Sequence, residues 1–415
     1  MGKIKEKFDV AIIGGGPAGI MAAGRAAELG ARVVLIEKNL ILGKKLLITG
    51  SGRCNISQSE FKDKKFVEKL GKKGQFILSA LSVFGPEEVV RFFEERGLQI
   101  KIERGGRIFP ASDKAQDVLN VLLKYLNKNK VKLLLGQEVA GFEVEKGRIV
   151  SVKLKKGEIT AQSFILATGG KAYPGTGSTG DGYAWAQKMG HKIINATPAL
   201  VPIETKENWV KDLQGLSLKN VSVTLFQNNK KQDSRFGEML FTHFGLSGPI
   251  ILDLSKKIGK LMDAGEVILK IDLKPALDIS TLDKRLQRDF IRNKDFKNYL
   301  PELLPQKLGD LIAQFTKISP DKKLNSITKE ERKKLIDTLK SLKLTVKGLI
   351  GFSQAIVTSG GVELKEIDSK TMRSKIIKNL FFAGEIIDLD GPTGGYNLQI
   401  CWSTGRVAGE NAGKT

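Results

Sequence analysis

The chain has 415 residues, enough for two or three domains, and its 41% hydrophobic and 27% charged residues are ordinary globular usage, which excludes a disordered chain. Two cysteines and two histidines exclude a disulfide framework and a zinc site, and no apolar run reaches the ~18 residues of a membrane helix, so we expect a cytoplasmic protein. The 68 basic residues outnumber the 45 acidic ones, for a net charge of +23, which fits either a polyanionic partner such as RNA or a lysine-rich proteome.

The N-terminal residues have the pattern of a strand, a helix and a second strand. Residues 8–13 are a buried-strand run, residues 17–29 are an alanine-rich helix, and residues 32–36 are a second strand that ends at Glu37. The carboxylate at the end of the second strand can accept hydrogen bonds from ribose hydroxyls, and it would repel a 2′-phosphate. This pattern predicts a βαβ unit that binds a dinucleotide without that phosphate.

Three glycines lie between the first strand and the helix, in the order G-x-G-x-x-G. Gly14 permits a tight turn, Gly16 allows the backbone to approach a pyrophosphate, and Gly19 allows the helix to pack closely on the strand. The helix N-terminus offers unpaired N–H groups to the phosphates. Because the motif stands between a strand and a helix, it is much more specific than the bare glycine spacing.

A basic segment follows directly, at residues 44–73. It holds nine basic residues against three acidic ones, Glu60, Asp63 and Glu68. The basic residues are Lys44, Lys45, Arg53, Lys62, Lys64, Lys65, Lys69, Lys72 and Lys73. Such a local excess, placed next to a cofactor motif, predicts a surface that could hold RNA phosphates.

Two later segments indicate FAD. Residues 131–167 read as a β-meander of short strands divided by turn residues, and the chain then returns to the sheet at the A-T-G-G of residues 167–170. From Asn379 a strand leads into a glycine-rich loop and then a helix that starts near Leu398. Together with the βαβ unit, these segments resemble glutathione-reductase-like FAD proteins.

The pattern changes between these segments, which predicts an inserted domain. The fold class is therefore α/β, with a Rossmann-like FAD-binding domain at residues 1–190 and 350–415 interrupted by an insert at 191–349. Within the insert, residues 191–275 read as β-rich and residues 276–345 as helical. No second G-x-G-x-x-G follows a strand, so no separate nicotinamide domain is expected.

Four motifs make the resemblance specific. They are G-S-G-R-C-N at 50–55, G-G-R-I-F-P at 105–110, L-F-T-H-F-G-L-S-G-P at 240–249, and A-G-E followed by D-G-P-T-G-G-Y-N-L-Q within 383–399. In this order they resemble the BaiN/RdsA family of FAD-dependent oxidoreductases over essentially the whole chain. The resemblance implies non-covalent FAD and reduction of carbon–carbon double bonds, which family members carry out on dehydro-steroids and on a uridine of ribosomal RNA. NAD(P)H is one candidate electron donor.

The candidate cofactor contacts come from the glycine-rich turn, the 50–55 motif, the meander and the C-terminal loop. Glu385 would hold ribityl or ribose hydroxyls, and the backbone N–H groups of residues 397–399 would face the flavin pyrimidine edge. The full set is Gly14, Gly16, Ala18, Gly19, Glu37, Lys38, Ser51, Gly52, Arg53, Asn55, Val139, Thr168, Gly169, Gly384, Glu385, Asn397, Leu398 and Gln399.

Two residues are candidates for catalysis. Cys54 has no second cysteine at the spacing of the disulfide reductases, so it is either a proton donor to the substrate carbon or a small packing residue. His243 is a general acid, or it orients a substrate carbonyl, or it is a core histidine whose ring is satisfied by the backbone. Arg53 either holds a flavin or RNA phosphate or forms a structural ion pair.

Three functions fit these observations. The leading one is reduction of uracil in ribosomal RNA to dihydrouridine, which the basic excess favours. The second is reduction of a small enone, such as a steroid or a quinone-like compound, which predicts an apolar pocket and activity insensitive to salt. The third is a non-catalytic, FAD-containing RNA-binding protein, which predicts tight RNA binding without turnover. The sequence leaves the oligomeric state open.

Overall fold

The computed structural model describes residues 7–414, which divide into two compact units. The split unit comprises the residues up to Pro198 together with those from Phe352 onward, and the inserted unit is Ala199–Gly351. The predicted boundaries lay at 190/191 and 349/350. The strand Ile193–Ala199 pairs with Val357–Val362, so the split unit extends past residue 191.

The strands and helices are as follows. The strands are β1 (Lys7–Ile13), β2 (Val33–Glu37), β3 (Ser57–Gln58), β4 (Ile100–Glu103), β5 (Arg107–Pro110), β6 (Lys132–Leu135), β7 (Val139–Glu145), β8 (Arg148–Leu154), β9 (Glu158–Leu166), β10 (Ile193–Ala199), β11 (Ile203–Thr205), β12 (Ser217–Gln227), β13 (Lys230–Phe241), β14 (Gly245–Ser247), β15 (Ile268–Asp272), β16 (Leu342–Leu349), β17 (Val357–Val362) and β18 (Leu380–Phe382). The α-helices are α1 (Pro17–Glu28), α2 (Asp63–Lys69), α3 (Leu78–Val83), α4 (Pro86–Glu94), α5 (Ala115–Lys128), α6 (Asp181–Lys188), α7 (Pro249–Met262), α8 (Ile279–Asp289), α9 (Phe296–Leu303), α10 (Gln306–Thr316), α11 (Lys329–Lys340) and α12 (Tyr396–Gly413).

A seven-stranded sheet forms the centre of the split unit. Its order is β6–β2–β1–β9–β8–β7, and β18 also pairs with β9. The strands β6, β2, β1, β9 and β18 pair with one another in parallel, whereas β9 pairs with β8 antiparallel. β1 is buried on both faces and reads as a continuous apolar run, as expected for a parallel strand covered by helices. The predicted Rossmann-like α/β fold is confirmed.

The meander differs from the prediction at its first strand. Residues 132–135 pair in parallel with β2, so they belong to the dinucleotide sheet, and the antiparallel strands begin at β7. β9 takes part in both arrangements: its start pairs antiparallel with β8, and most of its length pairs in parallel with β1. A short apolar run such as V-K-L-L-L does not itself reveal the direction of its partner strand.

The first and last helices of the chain pack closely through small residues. An added Cβ would lie 2.4 Å from the Ala18 carbonyl oxygen at Gly405 and 2.3 Å from the Ala22 carbonyl oxygen at Gly409. Glycines spaced by four residues on α12 thus face alanines spaced by four on α1, because these positions share one face of each helix. This contact holds α12, and the loop before it, against the dinucleotide turn.

The inserted unit is built on a closed barrel of six strands in the order β11–β14–β13–β12–β15–β16. Inward positions of β12 and β15, among them Val223, Leu225 and Leu269, are fully buried. Closure comes from the pairing of β11 with β16. In the sequence, the helices α8–α11 lie between the barrel strands β15 and β16.

The order of strands and helices in the insert departs from the predicted division into a β-rich and a helical segment. The segment 191–275 contains the fourteen-residue helix α7, and the segment 276–345 ends inside strand β16. α7 carries apolar residues at helical spacing that are buried, including Ile251, Leu254 and Ile258. Among the described residues 7–414, no helix has the length and apolar character needed to cross a membrane.

Candidate functional site

A cavity of about 530 Å³ lies at the glycine-rich turn of the split unit. Gly14 has φ +107°, and a Cβ there would lie 2.4 Å from the Ala167 carbonyl oxygen. Gly19 is equally constrained, because its Cβ would lie 1.9 Å from the Gly14 carbonyl oxygen. At Gly16 a Cβ would meet nothing within 4 Å. The chain therefore needs glycine at positions 14 and 19 for its own packing, and at position 16 it leaves open space.

Glu37 ends β2 and lines the same cavity. Its Oε2 accepts a hydrogen bond from the Gly15 N–H at 2.7 Å, and its Oε1 accepts two from Asn39, at 2.8 Å from the backbone N–H and 2.7 Å from the side-chain amide. These bonds fix the orientation of the carboxylate. Each carboxylate oxygen has about two lone pairs, so Oε2 keeps acceptor capacity toward a ribose hydroxyl.

The loop Thr176–Asp181 is held to the end of β2 across the cavity wall. The Lys38 ammonium donates to the Thr179 hydroxyl at 2.5 Å and to the Asp181 carboxylate at 2.7 Å, and the Asn39 amide donates to the Thr176 carbonyl at 3.0 Å. Burial raises the pKa of Asp181, but the hydrogen bonds from Lys38 and Thr179 outweigh burial and lower it. Lys38 is thus a clasp between two walls of the cavity.

The C-terminal segment supplies the wall next to the helix α1. A Cβ at Gly384 would lie 2.7 Å from the Ala18 Cβ. The Glu385 carboxylate accepts from the Lys45 ammonium at 2.8 Å and from the Thr358 N–H at 2.7 Å. Lys45 and Glu385 both line the cavity, so one wall carries a fixed ion pair.

These observations fit a dinucleotide. α1 begins at Pro17, and its N-cap Gly16 provides no side-chain cap, so the N–H groups of the first turn have no side-chain acceptor at the cavity wall. Phosphate oxygens would supply that acceptor and would meet the positive end of the helix dipole. The fold and this cavity define a dinucleotide-binding protein of the glutathione-reductase-like FAD class.

More than half of the predicted cofactor residues line this cavity. They are Gly14, Gly16, Ala18, Glu37, Lys38, Val139, Thr168, Gly169, Gly384 and Glu385. Gly19 lies behind the turn, where it packs on Gly14. The 50–55 motif and the residues 397–399 do not line the cavity.

Arg53 forms a structural ion pair, one of its two predicted roles. Its guanidinium pairs with Glu103 and, at 2.7 Å, with Asp113, and it lies 4.0 Å over the Phe109 ring. The neighbouring Ser51 and Gly52 are exposed. The Asn55 side-chain amide donates to the Ser57 and Ile108 carbonyls and accepts from the Gly395 N–H.

Polar side chains in the first turn of α12 are also engaged in hydrogen bonds within the protein. The Asn397 amide caps the preceding loop through Gly391 and Pro392. The Gln399 side chain is fully buried and bonds Ser57, Phe84 and Ser403, and Leu398 is half-buried. α12 begins at Tyr396 rather than near 398. The predicted contact between this turn and the flavin would be made by backbone N–H groups, and it stays a prediction.

The two cysteines are neutral thiols. Cys54 is fully buried, and burial raises the pKa of its thiol to about 12, with a hydrogen bond from Thr49 offsetting part of the shift. Burial likewise raises the pKa of Cys401 to about 12, with the Glu385 carboxylate adding to it. Cys401 lines the cavity, whereas Cys54 does not. The geometry favours the packing role for Cys54 over a proton donor that must reach substrate.

The two histidines have contrasting environments. His243 is exposed in the turn after β13, with its ring 4.8 Å from the Phe244 ring; it belongs to the inserted unit, and a catalytic role for it stays a prediction. His191 is buried in the split unit between Glu366, 3.2 Å from Nδ1, and the Ser374 hydroxyl, 2.9 Å from Nε2.

His191 should make the stability of the split unit depend on pH. Burial lowers its pKa, and the nearby Glu366 carboxylate offsets only part of that. The unfolded ring therefore binds a proton first as pH falls below about 6.5, so stability is full above that pH and is lost as pH falls toward the folded pKa. We expect a loss of up to ~1.4 kcal/mol per pH unit, measured by urea unfolding between pH 7 and 5. The slope should shrink in His191→Gln and persist in His243→Gln; equal slopes in all three proteins would contradict this assignment.

Some cavity residues escaped the sequence analysis. They include Asn39, Lys45 as a partner of Glu385, the loop Thr176–Asp181, Trp185 and Cys401. For the loop, the available signal was the density of glycines at residues 175–182, shortly after A-T-G-G. Within residues 7–414, no three His, Cys, Asp or Glu side chains are grouped so as to hold a metal ion.

The family model described as HI0933-like protein Rossmann domain matches residues 8–411. The chain therefore belongs to this family, which is the BaiN/RdsA family that its motifs resemble. It is an FAD-dependent oxidoreductase.

Two curated relatives match over nearly their whole length. The 3-dehydro-bile acid delta(4,6)-reductase of Clostridium scindens is 33% identical over 97% of this chain and 98% of its own. The ribosomal RNA dihydrouridine synthase of Escherichia coli is 30% identical over 96% of both chains. The names of these two relatives thus specify two different substrates, a 3-dehydro-bile acid and ribosomal RNA.

Solved structures show the same fold. A flavocytochrome c3 fumarate reductase is 18% identical, covers 99% of this chain and 78% of its own, and has a TM-score of 0.52. A 3-ketosteroid-delta4-(5alpha)-dehydrogenase from Rhodococcus jostii RHA1 is 15% identical, covers 99% and 98%, and has a TM-score of 0.51. At this identity the likeness concerns the fold alone.

Proposed function

We propose that this protein reduces an activated carbon–carbon double bond, with uridine in ribosomal RNA as the leading substrate and dihydrouridine as the product. The observation that carries the proposal is the full-length similarity of this chain to two named enzymes. One is a 3-dehydro-bile acid delta(4,6)-reductase, and the other is a ribosomal RNA dihydrouridine synthase. The dinucleotide cavity supplies the place for the cofactor. We further propose NAD(P)H as the electron donor and a cytoplasmic location.

Each wall of the cavity has a role in this proposal. FAD, when bound, supplies the hydride chemistry of the reaction. The first turn of α1 would hold the pyrophosphate and Glu37 a ribose hydroxyl, while Lys38 holds the loop of residues 176–181 to the end of β2. Glu385, fixed by Lys45, faces the cavity near α1. A proton must also reach the substrate carbon, and the exposed His243 remains our candidate donor ahead of Cys54.

The basic segment supports RNA over a small enone. Three of its nine basic residues are engaged: Lys45 with Glu385, Arg53 with Glu103, and Lys73 with Asp388. The other six are exposed, and among the described residues none has an acidic partner within ion-pair distance. They are Lys44, Lys62, Lys64, Lys65, Lys69 and Lys72. Unpaired lysines can release counterions from RNA phosphates, which makes RNA affinity fall with salt.

The test is nucleoside mass spectrometry of ribosomal RNA from cells with and without this gene. We expect one dihydrouridine to disappear in the deletion strain and to return with the wild-type gene. The matched control is the Gly16→Ala gene, which should restore less of it, because that change adds a methyl group in the open space where we propose that the pyrophosphate binds.

An unchanged dihydrouridine content in cells that express the protein would overturn the RNA substrate. The second candidate, a small enone, rests on the 33% identity to the bile acid reductase. In that case the reduced protein should be reoxidised by an enone at a rate that does not depend on salt, and RNA should not compete.

A further inference from the structure

We propose that a second cavity of the split unit, formed by α2, α3 and α4, is a nucleobase-binding subsite that takes a guanine of single-stranded RNA. This inference rests on the proposed RNA substrate, and it assigns recognition to a place outside the cofactor cavity. The cavity measures about 510 Å³. Residues 61–65 line one side, and Leu81, Ser82 and Gly85–Glu88 line the other.

Phe61 supplies a stacking surface. Its side chain is 47% exposed, although it lines the cavity and precedes α2 directly. The ring therefore offers an accessible flat apolar face at the edge of a concave site. Stacking of a base on the ring would cover it, and base–aromatic stacking accepts every base.

Two carboxylates supply the base-edge acceptors. Glu88 is held in place because its Oε2 accepts the Gly85 N–H at 2.9 Å. Asp63, at the start of α2, lines the same cavity. A Cβ at Gly85 would lie 3.2 Å from the Glu88 Oε2 and 3.5 Å from the Asp63 Oδ1, so the two carboxylates are neighbours. Burial and the Glu88 charge raise the pKa of the Asp63 carboxyl. A carboxylate matches guanine, because guanine presents two adjacent donors, N1–H and the N2 amine, to its two oxygens. Adenine and uracil alternate donor and acceptor on that edge.

Three lysines surround these carboxylates. Lys62, Lys64 and Lys65 line the cavity and are exposed. Lys65 and Lys69, four residues apart, share a face of α2, and Lys62 precedes the helix as its N-cap residue. Along a helix that rises ~1.5 Å per residue, this row extends ~10 Å from the cavity. It provides cationic groups for phosphates flanking the bound base.

The experiment uses fluorescence anisotropy with the FAD-loaded full chain and a labelled 15-nucleotide single-stranded RNA that contains one guanine. A second RNA carries inosine there, which lacks the N2 amine. We expect wild type to bind the guanine RNA about tenfold more tightly than the inosine RNA, and Asp63→Asn to bind the two alike. Phe61→Ala should weaken both about tenfold. Matched controls are Asp263→Asn and Phe236→Ala, which change an exposed carboxylate and an exposed aromatic of the inserted unit.

The outcomes separate this inference from the proposed function. Melting temperature and FAD content of each variant report its folding. If wild type forms dihydrouridine in ribosomal RNA but shows no guanine preference, or if Asp63→Asn and Phe61→Ala bind like their controls, the subsite is overturned and the substrate stands. If wild type forms no dihydrouridine but keeps the Asp63-dependent preference, the subsite stands and the substrate is overturned. If wild type forms no dihydrouridine and binds neither RNA, both fall.

Discussion

Gly16→Ala is expected to leave the stability of the apoprotein nearly unchanged and to weaken FAD binding by roughly tenfold to a hundredfold. Gly16 has φ −80° and ψ −178°, which alanine adopts readily, and an added Cβ meets no protein atom within 4 Å. The methyl group would instead occupy the space where the pyrophosphate approaches the backbone, at a cost of ~1–3 kcal/mol in binding. Titration of apoprotein with FAD, followed by flavin fluorescence, measures the loss.

Gly14→Ala provides the contrast. At φ +107° and 2.4 Å from the Ala167 carbonyl oxygen, its Cβ strains the protein itself, and we expect the apoprotein to lose ~3 kcal/mol or more in unfolding free energy. If both variants lost equal stability, or if Gly16→Ala bound FAD normally, the assignment of the cavity would be wrong.

Gly409→Ala is expected to destabilise the split unit by ~2–3 kcal/mol. Its Cβ would lie 2.3 Å from the backbone oxygen of Ala22, so α1 and α12 would have to separate, and overpacking of this kind costs ~1–3 kcal/mol. For a unit of this size the melting temperature should fall by ~4–12 °C, as measured by circular dichroism on apoprotein.

Gly413→Ala is the matched control on the same helix. Its Cβ would lie 3.1 Å from the Ala26 Cα, which a small adjustment of the helix end relieves. We expect a melting temperature within ~2 °C of wild type. A Gly409→Ala protein as stable as Gly413→Ala would show that the two helices are not held at contact distance.

The dinucleotide unit was predictable because each of its parts carries a local signal. Glycines 14, 16 and 19 stand at fixed offsets from a strand and a helix, and Glu37 ends the next strand. Gly14 and Gly19 are required by backbone contacts that the structure shows directly. The β-rich insert was also visible, although its closure into a barrel was not, since closure depends on the pairing of β11 with β16, which lie more than 130 residues apart.

The other differences between prediction and structure also arise from contacts between residues that are far apart in the sequence. The pairing direction of strand β6 depends on β2, and the formation of helix α7 depends on the barrel, which buries Ile251 and Ile258. Both partners are distant in the sequence. Arg53 illustrates the point for a side chain. Its partners Glu103 and Asp113 are 50 and 60 residues away, so the motif alone left phosphate binding and ion pairing equally open.

The packing of α12 on α1 also determines when the protein can finish folding. The inserted unit is one continuous segment, so it can fold as soon as residue 351 has left the ribosome. The split unit has to wait for β18 and α12, which follow the insert. At ~5–20 residues per second, this delay lasts on the order of several seconds. During that time the alanine face of α1 and one edge of β9 lack their partners, so the nascent chain is most exposed to aggregation, and to rescue by chaperones, in the interval before its last helix arrives.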